Sequence, residues 1–290
     1  MQVNGARTVL PPGTSDAGEI RSFPGAGDRA LRYRVVAAPR PRHHVLYFHG
    51  VESHGGWFLP TAQRLRDAGC TTYLLDRRGS GLNLEPDPGD ARSVHELLED
   101  VELFRRHVDL PEVHLVGLSW GAKLAVATAL RRPTGVASIV LITPGLRALV
   151  DLSPLQKIAC LLSLVTGGRT RLALPIEPDM FTTTPRFLDF IHQDPWRLHR
   201  VTARFLLASR RLDRLIDRGI AELRPPVLLL QAARDRIIDN AGVVKLLGAS
   251  GSGAPRLHVF DEATHALQFD QVDELASRIM AFLDDVASPC

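Results

Sequence analysis

The chain has 290 residues, 45% of them hydrophobic, with 23 glycines and 20 prolines scattered rather than massed, so it can bury a large core and is neither disordered nor fibrous. Its 35 basic and 32 acidic residues leave a formal net charge of +3, and no basic cluster is interleaved with aromatics as a nucleic-acid surface requires. Three widely spaced cysteines, Cys70, Cys160 and Cys290, exclude a disulfide framework and fit a reducing compartment. Met1–Arg7 lacks the apolar core of a signal peptide, and the longest greasy run, Ile158–Val165, falls far short of the ~18 apolar residues of a membrane span, so a cytoplasmic location is expected.

Residues 1–18, rich in Gly, Pro and Ser, read as a flexible leader. Ile20–Phe23 and Leu31–Val36 are predicted strands, joined as a hairpin through Pro24-Gly25-Ala26-Gly27-Asp28. His44–Phe48 is a predicted buried strand, Leu59–Ala68 a helix closed by Gly69, and Thr71–Leu75 a strand. An amphipathic helix over Val94–Val108, a strand over Val113–Val116, a helix over Ala122–Leu130 and a strand over Ala137–Ile142 continue the alternation.

From Pro144 to Leu223 the pattern is helical throughout, with apolar runs at Ile158–Val165 and Phe187–Ile191 and a long segment over Val201–Ile220. Strand–helix order returns with Val227–Leu230, Ala241–Leu247, the turn at 248–253, Leu257–Phe260 and a last helix over Val272–Val286. Alternating strands and helices predict an α/β fold, a mostly parallel sheet covered on both faces. The expected core is residues 19–143 and 224–290, with 144–223 as a helical cap inserted after the sixth strand, over the carboxyl edge where open sheets bind ligands. No internal repeat is present.

One motif carries the chemistry. Gly117-Leu118-Ser119-Trp120-Gly121 lies between the Val113–Val116 strand and the following helix, the strand–turn–helix setting of a nucleophile elbow. A serine hydroxyl attacks only when a base takes its proton and a third group orients that base. Asp235 follows the Val227–Leu230 strand and His265 follows Leu257–Phe260, so all three sit at strand ends in the order Ser, Asp, His, which the α/β-hydrolase scaffold uses. Asp239 lies too far past its strand to replace Asp235, and Asp261 suits the turn that holds His265. Two backbone N–H groups must meet the charge that develops on the substrate carbonyl oxygen. One is assigned to Trp120 and the other to Val51, in the loop His49-Gly50-Val51-Glu52-Ser53-His54, where Gly50 lets the backbone approach substrate. His43, His44, His49 and His54 lack a carboxylate or cysteine at ligand spacing, so neither metal nor cofactor is expected.

The His49–His54 loop, Asp76-Arg77-Arg78-Gly79-Ser80-Gly81, the Ser119 elbow, Leu228-Leu229-Leu230-Gln231 with Asp235, and His265-Ala266-Leu267 together resemble the monoacylglycerol lipase and lysophospholipase branch of the α/β-hydrolases over residues 30–285. The resemblance implies hydrolysis of a single-chain acyl ester under a mobile cap, with Ser119, Asp235 and His265 as triad and Val51 as an oxyanion amide. Trp120 departs from the smaller or flexible residue of that branch. Arg77 and Arg78 are read as parts of a tight turn, with Asp76 bonding its own backbone. Gly50, His54, Leu161, Phe187 and Trp196 are the expected substrate-binding residues, and the cap is a candidate for transient membrane-surface contact. A thioesterase, peptidase or acyltransferase would use the same machinery, and a non-catalytic ligand-binding protein is the remaining alternative; oligomeric state stays open.

Overall fold

The computed structural model describes Gln2–Val3, Ala6–Arg7 and residues 9–288. Its centre is an eight-stranded sheet formed by β1 (Glu19–Pro24), β2 (Ala30–Val36), β3 (His43–Phe48), β4 (Cys70–Leu75), β5 (Val113–Leu118), β6 (Val136–Ile142) and two later strands. A short hairpin, β7 (Arg171–Ala173) and β8 (Arg200–Thr202), stands apart, and β9 (Val227–Ala232) and β10 (Arg256–Phe260) complete the sheet. The strand order is β10-β9-β6-β5-β3-β4-β2-β1. β2 runs antiparallel to both β1 and β4; the other pairings are parallel.

Side chains alternate between two cores, as the pleat dictates. Leu46, Phe48, Leu115, Ile139, Leu141 and Leu229 enter one core. Val45, Tyr47, Val116, Val140, Ile142, Leu228 and Leu230 enter the other. Both faces are therefore apolar, and helices cover each. α2 (Val94–Val108) and α3 (Gly121–Arg131) lie over the first core, and α1 (Leu59–Asp67) and α10 (Val272–Ala287) over the second. Ser93 starts α2 by accepting from the amide of Glu96 at 3.1 Å, an N-cap bond.

Between β6 and β9 the chain leaves the sheet as α4 (Pro154–Val165), β7, α5 (Pro178–Phe181), α6 (Pro185–Gln193), β8 and α7 (Ala203–Gly219). The expectation of helix throughout is corrected at β7 and β8, whose three-residue strands pair antiparallel and are too short to show a period of two. α8 (Asn240–Leu247) and α9 (Leu267–Asp270) complete the helices. The described part of the expected leader, residues 9–18, is not loose. Ser15 donates its amide and hydroxyl to Gln63 Oε1 at 3.3 and 3.1 Å, and Gln63 Nε2 donates to the Asp16 carbonyl at 2.7 Å. Residues 1, 4, 5 and 8 of that leader lie outside the described residues. Among the described residues no helix is long and apolar enough to cross a membrane.

The turn after β4 is locked by charge. Arg78 donates from Nε and Nη2 to the two oxygens of Asp100, each at 2.6 Å, and from Nη1 to Glu96 at 2.7 Å. Asp76 accepts from Leu82 N in its own turn at 2.8 Å, but also from Gly55 N at 2.5 Å and Arg34 Nη1 at 3.2 Å, so it joins two loops. Breaking a buried pair by removing one partner leaves an uncompensated charge, so Arg78→Ala is expected to lose about 3–5 kcal/mol in urea unfolding. A loss below about 1 kcal/mol, the range of exposed pairs, would contradict this reading.

Candidate active site

β3 and β5 are neighbours, with Phe48 level with Gly117, so the loop after β3 and the turn after β5 leave the sheet side by side. The chain order of β3, β4 and β5 reverses direction across the sheet here, the switch point at which open α/β sheets form a crevice. Ser119 occupies the turn with φ 51°, a left-handed conformation that a side chain resists by roughly 1–2 kcal/mol. Three bonds hold it: Ser119 N donates to the Ile142 carbonyl at 2.9 Å, and Ser119 O accepts from Ala122 N at 3.1 Å and Gly145 N at 2.8 Å. Glycine is needed on both sides. A Cβ at 117 would lie 2.5 Å from Ala122 Cα, and one at 121 would run into the carbonyl of Phe48.

His265 leaves the loop after β10 with Nδ1 2.8 Å from Asp235 Oδ2. The other oxygen of Asp235 accepts the amides of Ile237 and Ile238 at 2.8 and 3.1 Å, which fixes the carboxylate. Thr143 Oγ1 donates to the His265 carbonyl at 3.0 Å and so pins the loop to the end of β6. With Nδ1–H given to the carboxylate, Nε2 is the acceptor nitrogen. It is buried without a partner among the described residues and belongs to the same small cavity as Ser119. Asp239 is occupied elsewhere, capping α8 through Gly242 N at 2.9 Å.

The loop after β3 is braced by His49. Burial and the neighbouring Arg77 cation pull its pKa down to about 3, so the ring is neutral. Nδ1 lies 2.7 Å from the Gly50 carbonyl, and Nε2 accepts from Arg77 N at 3.1 Å. The Gly50 carbonyl and the Val51 N–H share one planar peptide, so holding the oxygen aims the N–H the opposite way. Among the described residues neither the Val51 amide nor the Trp120 amide donates to another protein group.

The cavity measures about 10 Å³, roughly the room of one water. Gly50, Val51, Ser119 and His265 line it, with apolar walls from Trp57, Ile176, Phe181 and Ile237. Sequence reasoning missed Glu52, Ser53 and Gln268, which also reach it. Glu52 is buried, and desolvation lifts its pKa to about 7 against the opposing pull of Arg197. Arg197 Nε donates to Glu52 Oε2 at 2.8 Å, and its Nη2 lies 2.7 Å from the same oxygen. That pair joins the loop after β3 to the segment between α6 and β8. Only the presence of a charged residue inside a glycine-bearing loop hinted at it.

Of the expected substrate contacts, Gly50 lies at the cavity and four do not. His54 is fully buried, its Nε2 3.0 Å from Asp194 Oδ2. Phe187 stacks on Phe269 at 4.9 Å in the core. Trp196 packs with Leu82 beneath the Arg34 guanidinium. Leu161 is 66% exposed on α4 and borders a separate cavity of about 740 Å³. The aromatic ring of Trp120 also faces away from the cavity: its Nε1 donates to Ser209 Oγ on α7 at 2.9 Å and its ring meets Phe205. The histidines serve different partners, His43 pairing with Asp284 and His54 with Asp194.

The family described as "Serine aminopeptidase, S33" matches residues 39–272. Human monoglyceride lipase is 28% identical over 240 residues, covering 78% of this chain and 76% of that protein. Rat monoglyceride lipase is 26% identical over the same shares. Among solved structures, the monoacylglycerol lipase of Paleococcus ferrophilus superposes with a TM-score of 0.80 at 21% identity, covering 89% of this chain and 99% of that one. A soluble variant of Saccharomyces cerevisiae monoglyceride lipase, in complex with a substrate analog, gives 0.82 at 18% identity, covering 97% and 100%. The mostly parallel sheet with helices on both faces is thus the α/β-hydrolase fold.

Glu52 ties stability to pH. Its folded pKa is raised from 4.5 to about 7, so the stability it contributes is present below the unfolded value and is lost as pH rises through the folded one. Arg197→Met removes the cation that holds that pKa down, so the variant's melting temperature is expected to fall further below wild type at pH 8.5 than at pH 5. An equal deficit at both values would show that the pair does not carry charge.

Proposed function

The chain belongs to the serine aminopeptidase S33 family of α/β-hydrolases, and on that premise we propose that it is a serine hydrolase cleaving a single-chain acyl ester of the monoacylglycerol or lysophospholipid type. The observation that carries this reading is the bare Nε2 of His265, oriented by Asp235 and sharing a cavity with Ser119. His265 takes the Ser119 proton as Oγ attacks the ester carbonyl, and the amides of Val51 and Trp120 receive the oxyanion. The proton then passes to the leaving alcohol as the acyl-enzyme forms. Water enters and gives a proton to His265 as its oxygen attacks the acyl carbon; the bond to Ser119 Oγ then breaks, Oγ takes that proton back and the acid leaves, with Asp235 holding the ring throughout. No cofactor takes part.

The relatives named monoglyceride lipases, and the apolar walls Trp57, Ile176, Phe181 and Ile237, support a greasy substrate. The family description favours a second reading, an aminopeptidase. That reaction must hold a substrate ammonium, and the one carboxylate lining the cavity among the described residues, Glu52, is already paired with Arg197. We therefore favour the ester.

A cavity with room for one water excludes an ester, so residues 144–223 act as a cap that moves to admit substrate. Its helix α4 presents Leu155, Ile158, Leu162 and Val165, each between 55% and 86% exposed, an apolar stripe suited to transient contact with a lipid surface. Free Cys70 and Cys160 fit a reducing compartment such as the cytoplasm.

Two experiments follow. Fatty-acid release is measured from monoacylglycerols, lysophospholipids and short synthetic esters, beside an aminoacyl amide. Release from a long-chain single-acyl lipid, lost by about 10⁴-fold or more in Ser119→Ala, is expected; turnover of the aminoacyl amide alone would replace the ester reading. In the second, Leu155→Glu with Leu162→Glu is expected to lower hydrolysis of a long-chain ester in vesicles about tenfold or more, since charge on the apolar face opposes insertion, while a water-soluble ester is cleaved at the wild-type rate. Equal rates on vesicles would remove the membrane contact.

A further inference from the structure

Arg77 differs from both of its neighbours. Asp76 and Arg78 are saturated with partners, whereas Arg77, 5% exposed, makes one side-chain hydrogen bond, from Nη2 to the Val51 carbonyl at 2.5 Å. Its Nε and Nη1 have no partner among the described residues. The guanidinium lies 5.2 Å from the ring centroid of Trp120 and 5.0 Å from that of Phe205, which α7 supplies. Burial lowers its pKa to about 9. A buried cation with so few bonds is an expensive way to fill space, and a turn alone does not require it.

The bonds that Arg77 does make converge on one residue. Its main-chain N–H donates to His49 Nε2, and His49 Nδ1 lies against the Gly50 carbonyl. That carbonyl shares its peptide plane with the Val51 N–H. The side chain holds the next peptide by its oxygen, that of Val51. The peptides on both sides of the Val51 Cα are therefore braced from residue 77. The same guanidinium rests against Trp120, the residue after Ser119. The two assigned oxyanion donors sit on different loops, and Arg77 touches both of their residues.

We propose that Arg77 is a positioning residue of the oxyanion hole: it sets the Val51 amide against the Trp120 amide and, through Phe205, ties that setting to the packed cap. The inference rests on the serine-hydrolase reading above. It requires that the loss on removing Arg77 fall on the transition state and not on substrate binding.

Arg77→Met and Arg77→Lys are compared with wild type on a water-soluble ester, with rates expressed per active site titrated to completion with a fluorophosphonate. A trifluoromethyl ketone, which forms a tetrahedral oxyanion on the nucleophile, is the binding probe. Misplacing a donor that is still present is expected to lower kcat by about 10- to 100-fold, less than or comparable to deleting one, with KM within about twofold. Affinity for the ketone is expected to fall by a similar factor. Arg77→Lys keeps a charge but not the planar fork, and it is the informative variant should Arg77→Met not fold; it is expected to show the same split. A kcat per titrated site within twofold of wild type, with only the melting temperature or the titratable fraction reduced, would make Arg77 structural and overturn the proposal. Failure of the underlying reading looks different: wild type would not turn over the ester, or Ser119→Ala would.

Discussion

A side chain at residue 121 would collide with the backbone carbonyl of Phe48, and the candidate site depends on that absence of space. Because Gly121 and Gly117 have no Cβ, α3 packs directly against β3 and β5 and the chain must turn within the residues between them. The turn drives Ser119 into positive φ and sets it beside the loop that follows Phe48. One steric constraint therefore places Ser119, the proposed nucleophile, and one proposed oxyanion donor at adjacent strand ends. The strain at Ser119 is sustained by three main-chain bonds, one of which, from Gly145, comes from the start of the inserted segment. His265 and Asp235 reach the same place from β10 and β9, and Thr143 ties them to β6.

Electrostatics surround this arrangement with paired charges and leave few unpaired groups at its centre. Glu52 beside the cavity is matched by Arg197, Asp76 by Arg34, and Asp100 by Arg78. Buried atoms left without partners are spread through the described residues, and three of them, His265 Nε2, Ser53 Oγ and Gln268 Oε1, belong to residues that line the cavity. Buried polar atoms usually have partners, and the open positions of these three accord with a site that completes its hydrogen bonds when a substrate is present. The inserted segment closes over it. The Phe181 carbonyl accepts from Ala266 N and Thr264 Oγ1, and the hydroxyls of Thr182 and Thr184 donate to Asp270, each at 2.7 Å. Those bonds tie α5 and the residues after it to the segment that carries His265, so the inserted segment and His265 are held together.

The sheet was legible in the sequence because its central strands are short apolar runs bounded by turn signals and its helices are long enough to show a period of 3.6; α2 matches its expected bounds at both ends. The placement of Ser119, Asp235 and His265 at strand ends was legible, and the structure brings His265 to Asp235 within 2.8 Å and leaves His265 Nε2 without a partner among the described residues. The cap was not. Its strands have three residues, and its contacts with the core join residues far apart in the chain, as Glu52 and Arg197 do. Phe187 and Trp196 were chosen as substrate contacts for their apolar bulk, but the same bulk packs them against the rest of the chain, Phe187 on Phe269 and Trp196 on Leu82. Leu161 failed in the opposite direction, because α4 turns much of its apolar surface outward and no neighbouring element covers it. His54 gave no local sign that Asp194 would claim its ring.

The central claim is that Ser119 carries the acyl group between the two half-reactions. The direct measurement is intact-mass and peptide mapping of protein quenched in acid during turnover of a slowly hydrolysed aryl ester. A transient mass increase equal to the acyl group is expected on the peptide containing Ser119, and its absence is expected in His265→Ala. Hydrolysis proceeding at the wild-type rate with no adduct, or an adduct that persists when Ser119 is replaced by alanine, would contradict it.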